Sequence, residues 1–83
     1  MESMVADSLP EILNHHQHMF NVLNERGCFY SGVSTLSGSG DQLFHLFYFK
    51  SPESAADGAR LIGAYYVKET SEGSIWRVAL QVA

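Results

Sequence analysis

QLFHLFYFKSPESAADGARLIGAYYVKETSEGSIWRVALQVA, residues 42–83, decides the fold. Its opening run places Leu43, His45, Phe47 and Phe49 on one side of an extended chain and Phe44, Leu46 and Tyr48 on the other. Both sides are apolar, so the spacing predicts an internal strand with helices over one side and a further cover over the other. Ser51 then offers a capping hydroxyl, with Pro52 and Glu53 in a first helical turn. Ala55, Ala56, Ala59, Ile62 and Gly63 form a stripe of mostly small residues that lets this helix approach a sheet closely, and Gly63 or a neighbour ends it. Residues 64–70 predict a third strand, Glu72-Gly73 a turn, and residues 75–82 a fourth strand. In that last strand Trp76, Val78, Leu80 and Val82 face inward, Arg77 and Gln81 outward.

Upstream, Ser8, Pro10 and Glu11 read as a helix start. Leu9, Ile12, Leu13, His16, Met19, Phe20 and Leu23 share one side of a helix, with Asn14, Gln17, Asn21 and Glu25 opposite and Gly27 as its end. Residues 28–36 predict a strand, bulged or bent at Gly32, and residues 37–41 a flexible connection. The order α-β-β-α-β-β predicts a two-layer ferredoxin-like α+β sandwich, a four-stranded mainly antiparallel sheet with two helices on one face. Residues 1–8 are expected to be a flexible N-terminus and residues 9–83 a single domain. The uncovered sheet face would display Phe44, Leu46 and Tyr48, a patch that a homodimer would cover.

Composition narrows the function. The chain has 83 residues, 46% of them hydrophobic and 12% aromatic, too apolar for disorder and too interrupted for a membrane span. A net charge of −4 with five scattered basic residues argues against direct nucleic-acid binding. Glu2, Asp7, Glu11 and Glu25 against Arg26 give residues 1–27 a balance of −3, which favours a basic protein segment as partner. The single Cys28 allows no intrachain disulfide, and the N-terminus lacks the pattern of a signal peptide, so a cytoplasmic location is expected.

Four histidines are the main chemical candidates. His15 and His18 neighbour each other on one flank of the first helix, His16 points into its apolar stripe, and His45 lies on the aromatic strand. The three helical histidines cannot bind one ion together on an intact helix, but His16 meeting His45, or a pair joined by Glu11, is geometrically open. The bland alternative is structural or solvent-facing histidines. A buried His16 would make folding pH-sensitive. Cys28 reads as a packed core thiol before it reads as a nucleophile. The serines and glycines of residues 34–41 lack the lysine and following helix of a phosphate loop, and no cofactor is implied. Trp76, Tyr65, Tyr66 and Tyr48 could line a pocket, though the alternation around Trp76 favours packing.

FHLFYF at 44–49, Ala55, Ala56 and Ala59, then Leu61, Gly63, Tyr65-Tyr66-Val67, and Gly73 through Trp76-Arg77-Val78 form an ordered pattern, preceded by LNERG at 23–27. Over roughly residues 20–82 this pattern resembles the ribonuclease E inhibitor family, the regulator of ribonuclease activity B proteins. The resemblance implies a non-enzymatic regulator that occludes a partner protein, such as an RNA-processing ribonuclease. Glu2, Asp7, Glu11 and Glu25 would steer that association, and Phe44, Leu46 and Tyr48 would supply contact area. The alternatives are a dimeric small-molecule or metal sensor with its ligand at the dimer interface or beside His16 and His45, and an enzyme using Cys28 or the histidines.

Overall fold

The computed structural model describes residues 9–82; the expected flexible segment 1–8, with Glu2, Asp7 and Ser8 in it, lies outside the described residues. The elements run α1 (Leu9–Asn24), β1 (Tyr30–Thr35), β2 (Leu43–Phe49), α2 (Pro52–Ile62), β3 (Tyr66–Glu69) and β4 (Trp76–Gln81). The sheet order is β1-β2-β4-β3, with every neighbouring pair antiparallel. The connection from β2 through α2 to β3 therefore leaves room for β4 between its two strands, a split βαβ unit. This is a ferredoxin-like α+β sandwich.

Local chemistry sets the element ends. At the end of α1 the Leu23 carbonyl accepts from the backbone N–H of Arg26 at 2.9 Å and of Cys28 at 3.0 Å, which needs the left-handed backbone of Gly27 at φ 105°. Ser51 Oγ accepts from the Ser54 N–H at 3.1 Å, so the hydroxyl does cap α2.

Both helices pack on the same sheet face. Met19 and Leu23 of α1 and Ala55 and Ala59 of α2 join Phe47, Phe49, Val78 and Cys28 in one buried cluster. Phe47 and Phe49 are fully buried, and each stabilises the fold by about 1.5–3 kcal/mol relative to an exposed ring.

Two expectations need correction. Gly32 does not bulge: Tyr30 to Thr35 pair one-for-one with Tyr48 to Leu43, with Gly32 opposite Leu46. The other face of the sheet does carry Phe44, Leu46 and Tyr48, but it does not display the first two. Phe44 is 9% and Leu46 5% exposed, in a second cluster with Ala79 onto which Leu36 and Tyr48 pack. Leu36 follows β1 and folds back over the sheet, held there by Ser39. The Ser39 hydroxyl donates to the Leu36 carbonyl at 2.6 Å and accepts from the Leu36 N–H at 3.0 Å. The chain itself thus supplies the cover that a second subunit was expected to provide.

Gly58 is the tightest contact between layers. A methyl group there would lie 2.7 Å from Phe49 Cζ and 3.2 Å from Leu23 Cδ2, both on fully buried side chains. In an exposed helix Gly→Ala gains up to about 1 kcal/mol, but Gly58→Ala is expected to lose roughly 1–3 kcal/mol by overpacking. Gly32→Ala, with nothing within 4 Å of the new methyl, is the control and should be near neutral. Urea unfolding of both variants decides the point.

Candidate functional site

The polar centre of the molecule lies where α1 crosses β1 and β2. His16 and His45 are both buried, and their Nδ1 atoms are 3.0 Å apart. The rings stack with centroids 5.2 Å apart, and the His16 ring also stacks on Phe47 at 4.8 Å. His16 Nε2 lies 2.9 Å from Ser31 Oγ on β1. His15 meets the His45 ring edge to face at 5.4 Å. The helical spacing of His15 and His16 sends one ring toward β4 and the other toward β1, with His45 between them.

The short Nδ1–Nδ1 contact limits the protonation states. One of the two nitrogens must carry a proton and donate, and the other must be bare and accept. If His45 donates, His16 Nδ1 accepts and His16 Nε2–H donates to Ser31. If His16 donates, Ser31 donates to His16 Nε2. The protons of the Ser31–His16–His45 chain therefore move in concert, and a second charge on the pair would break the central bond.

Burial pushes His45 down from the ordinary 6.5 to about 4, helped by His16 and then His15 as positive neighbours. His16 is lowered too, by burial first and His15 second. Cys28 is buried and its thiol donates to the Tyr30 carbonyl at 3.3 Å. Burial raises its pKa, against opposing backbone hydrogen bonds at Tyr48 and Tyr30, so the thiol is a poor nucleophile at neutral pH.

Beside His45 lies a cavity of about 310 Å³ lined by His15, His45, Glu11, Ile12, Leu80 and Gln81 at the end of β4, and Val82 just after it. His18 is exposed and away from it. Among the described residues no group of three or more His, Cys, Asp and Glu side chains is placed to hold a metal ion. The described acids proposed for steering do not converge: Glu11 is in the first turn of α1, and Glu25 just past its end, roughly 21 Å apart along the helix. On the sheet face away from the helices, two grooves of about 400 and 510 Å³ are separated by Leu36 and Arg77, which line both. Exposed Tyr30 and Tyr66 flank them on the two edge strands.

The meeting of His16 and His45 was legible from the apolar stripe and the strand alternation. Ser31 and Leu36 were not singled out, and the β4 end was read only as strand alternation. Ser31 carries no distinctive motif, and Leu36 gave itself away only by the Ser-Gly loop after it. No protein-family model, no curated protein and no solved structure matches this chain. Among the described residues no helix is long and apolar enough to cross a membrane.

The lowered histidines give a definite pH dependence. Between about 4 and 6.5 the unfolded chain binds a proton that folded His45 refuses, so stability rises with pH across this window. The contribution is complete above 6.5 and is lost as the pH falls toward 4. For His45 alone the loss is about 3 kcal/mol. Urea midpoints measured from about pH 7 to about pH 4 should fall accordingly, and His45→Phe should flatten the curve. A wild-type midpoint that holds constant through the window would contradict the buried, neutral pair.

Proposed function

We propose that the chain is a cytoplasmic, non-enzymatic module that regulates a partner protein by occluding it, and that two copies join along β1 to do so. The observation that carries this reading is the contrast between the two sheet edges. The β3 edge is four residues long and includes Lys68 and Glu69, the kind of charge that deters strand addition. The β1 edge, Tyr30–Thr35, has six residues and neither charge nor proline. It offers a row of backbone groups that a second strand can pair.

The helix above that edge supports the same partner. With about 100° per residue, Leu9 and Leu13 fall on one side of His16, and Ile12 and His15 on the other. Ile12 and His15 face β4 through the cavity, so Leu9 and Leu13 overhang the β1 side. They are 61% and 49% exposed. In a chain of net charge −4, an uncharged edge is where a second copy meets no like-charge repulsion. The strip is about 20 Å long, so the pair would bury on the order of 1,000 Å², near the lower bound for a specific interface. The dimer is expected to dissociate on dilution.

The unreactive Cys28 favours binding over catalysis, and the resemblance to ribonuclease inhibitors gives the direction of the regulatory role. Charge supports one side for the target. Lys68 and Arg77 line the sheet face away from the helices, while on the helix layer Glu11, Glu25, Glu53 and Asp57 outnumber Arg26 and Arg60. A basic target segment therefore docks across the helices.

Sedimentation equilibrium tests the arrangement. The wild-type chain should show a concentration-dependent mass approaching two copies, and Leu9→Glu with Leu13→Glu should remain monomeric with an unchanged circular dichroism spectrum. A wild-type chain that stays monomeric at millimolar concentration rejects the β1 dimer. Failure of any protein to co-purify with the tagged chain at low salt rejects the regulator.

A further inference from the structure

We infer that the cavity beside His45 is a binding site for a primary ammonium group on a short aliphatic stem. His45 is only 2% exposed, and its Nδ1 is taken by His16. Its Nε2 makes no hydrogen bond to any described residue, although the ring forms part of the cavity wall. A buried imidazole nitrogen without a protein partner is costly, and a ligand that hydrogen-bonds to it removes that cost.

The lining decides the ligand's charge. Glu11 brings a carboxylate, His15 and His45 bring imidazoles, and neither Lys nor Arg takes part. An anion would face the Glu11 carboxylate, whereas a cation is drawn by it. Ile12, Leu80 and Val82 supply apolar wall for methylene groups. At about 310 Å³ the space is at the small end of ligand pockets. It suits a four- or five-atom chain better than an aromatic cofactor.

The hydrogen-bond chain can adapt to such a donor. An ammonium N–H donates to bare His45 Nε2, which leaves the ring proton on Nδ1. That proton is donated to His16 Nδ1, and His16 Nε2–H is donated to Ser31 Oγ. Each proton has an acceptor, and no residue in the chain needs a second charge. The site therefore selects one tautomer of both histidines when filled. It lies on the other side of His16 from Leu9 and Leu13, so occupancy does not require the proposed dimer. The same chemistry is offered by a free alkylamine and by a lysine side chain of a basic partner segment.

The experiment uses the full chain with ¹⁵N-labelled histidine near neutral pH. n-Butylamine should move the His45 Nε2 resonance, fix His16 and His45 in the tautomers above, and raise the melting temperature. n-Butanol and n-butyrate should do neither. His45→Phe and the cavity-filling Leu80→Trp should each weaken amine binding by about tenfold or more. Because either core change could impair folding, surface Glu11→Gln serves as a third variant and should also weaken it. A lysine-containing peptide that binds more tightly than butylamine, and loses this on lysine acetylation, identifies a partner side chain as the source. The reverse order identifies a free amine. The inference is overturned if neither amine nor peptide moves the His45 signal, or if butyrate moves it equally. The oligomeric state measured in the same samples reports separately on the β1 dimer.

Discussion

A central strand that is apolar on both sides cannot be stable until both sides are covered, and this condition organises the whole chain. β2 sits between β1 and β4, with Phe47 and Phe49 toward the helices and Phe44 and Leu46 away from them. The helix side is closed by α1 and α2 together. The other side is closed by Leu36, a residue from the β1–β2 connection that returns over the sheet. The connection between these strands is therefore part of the core, and the hydrogen bonds of Ser39 to Leu36 fix a hydrophobic contact as much as a turn.

The helix side is close because small residues make it so. Ala55, Gly58 and Ala59 bring α2 down on Phe49, which fills the space a side chain at position 58 would need. The other helix approaches differently. Where α1 crosses β1 and β2, an imidazole pair with Ser31 takes the place of aliphatic packing. A buried polar cluster of this kind is stable only when its members satisfy each other, and the Nδ1–Nδ1 contact cannot do so once both rings are charged. The same contact that specifies the position of α1 also makes that position sensitive to acid.

Much of this was legible in the sequence, for reasons that can be stated residue by residue. The period-two pattern of LFHLFYF gave the orientation of every β2 side chain because a buried strand tolerates no slip. Ser51, Pro52 and Gly63 gave the bounds of α2 because helix ends need particular backbone and capping chemistry. Combining the two periods left His16 meeting His45 open as one arrangement among others, and the fold adopts it. What could not be read were contacts set by tertiary return of the chain. Leu36 looks like the last residue of a strand, Gly58 like a gap in an alanine stripe, and Ser31 like any strand serine. Exposure of Phe44 and Leu46 was misjudged for the same reason, since alternation assigns a side of the sheet and says nothing of what folds over it.

The division of α1 into sectors ties the remaining features together. Its inner sector, with Met19 and Leu23, belongs to the core. Turning one way from His16 leads to Leu9 and Leu13 above an uncharged strand edge, and turning the other way leads to His15 and Ile12 on a cavity wall. An ordinary surface helix needs only one apolar sector and can leave the rest polar. Here the apolar stripe runs on toward the start of the helix, where Leu9 and Leu13 fall to one side of His16 and Ile12 to the other. Among the described residues, the one side meets the edge strand β1 and the other an imidazole nitrogen without a hydrogen-bond partner. An apolar flank beside an unpaired strand suits a protein surface, since backbone pairing needs an extended partner. An apolar wall beside a single buried acceptor suits one small donor group. The two proposed sites share one helix because its first turns divide around His16, with Leu9 and Leu13 on one side and Ile12 and His15 on the other.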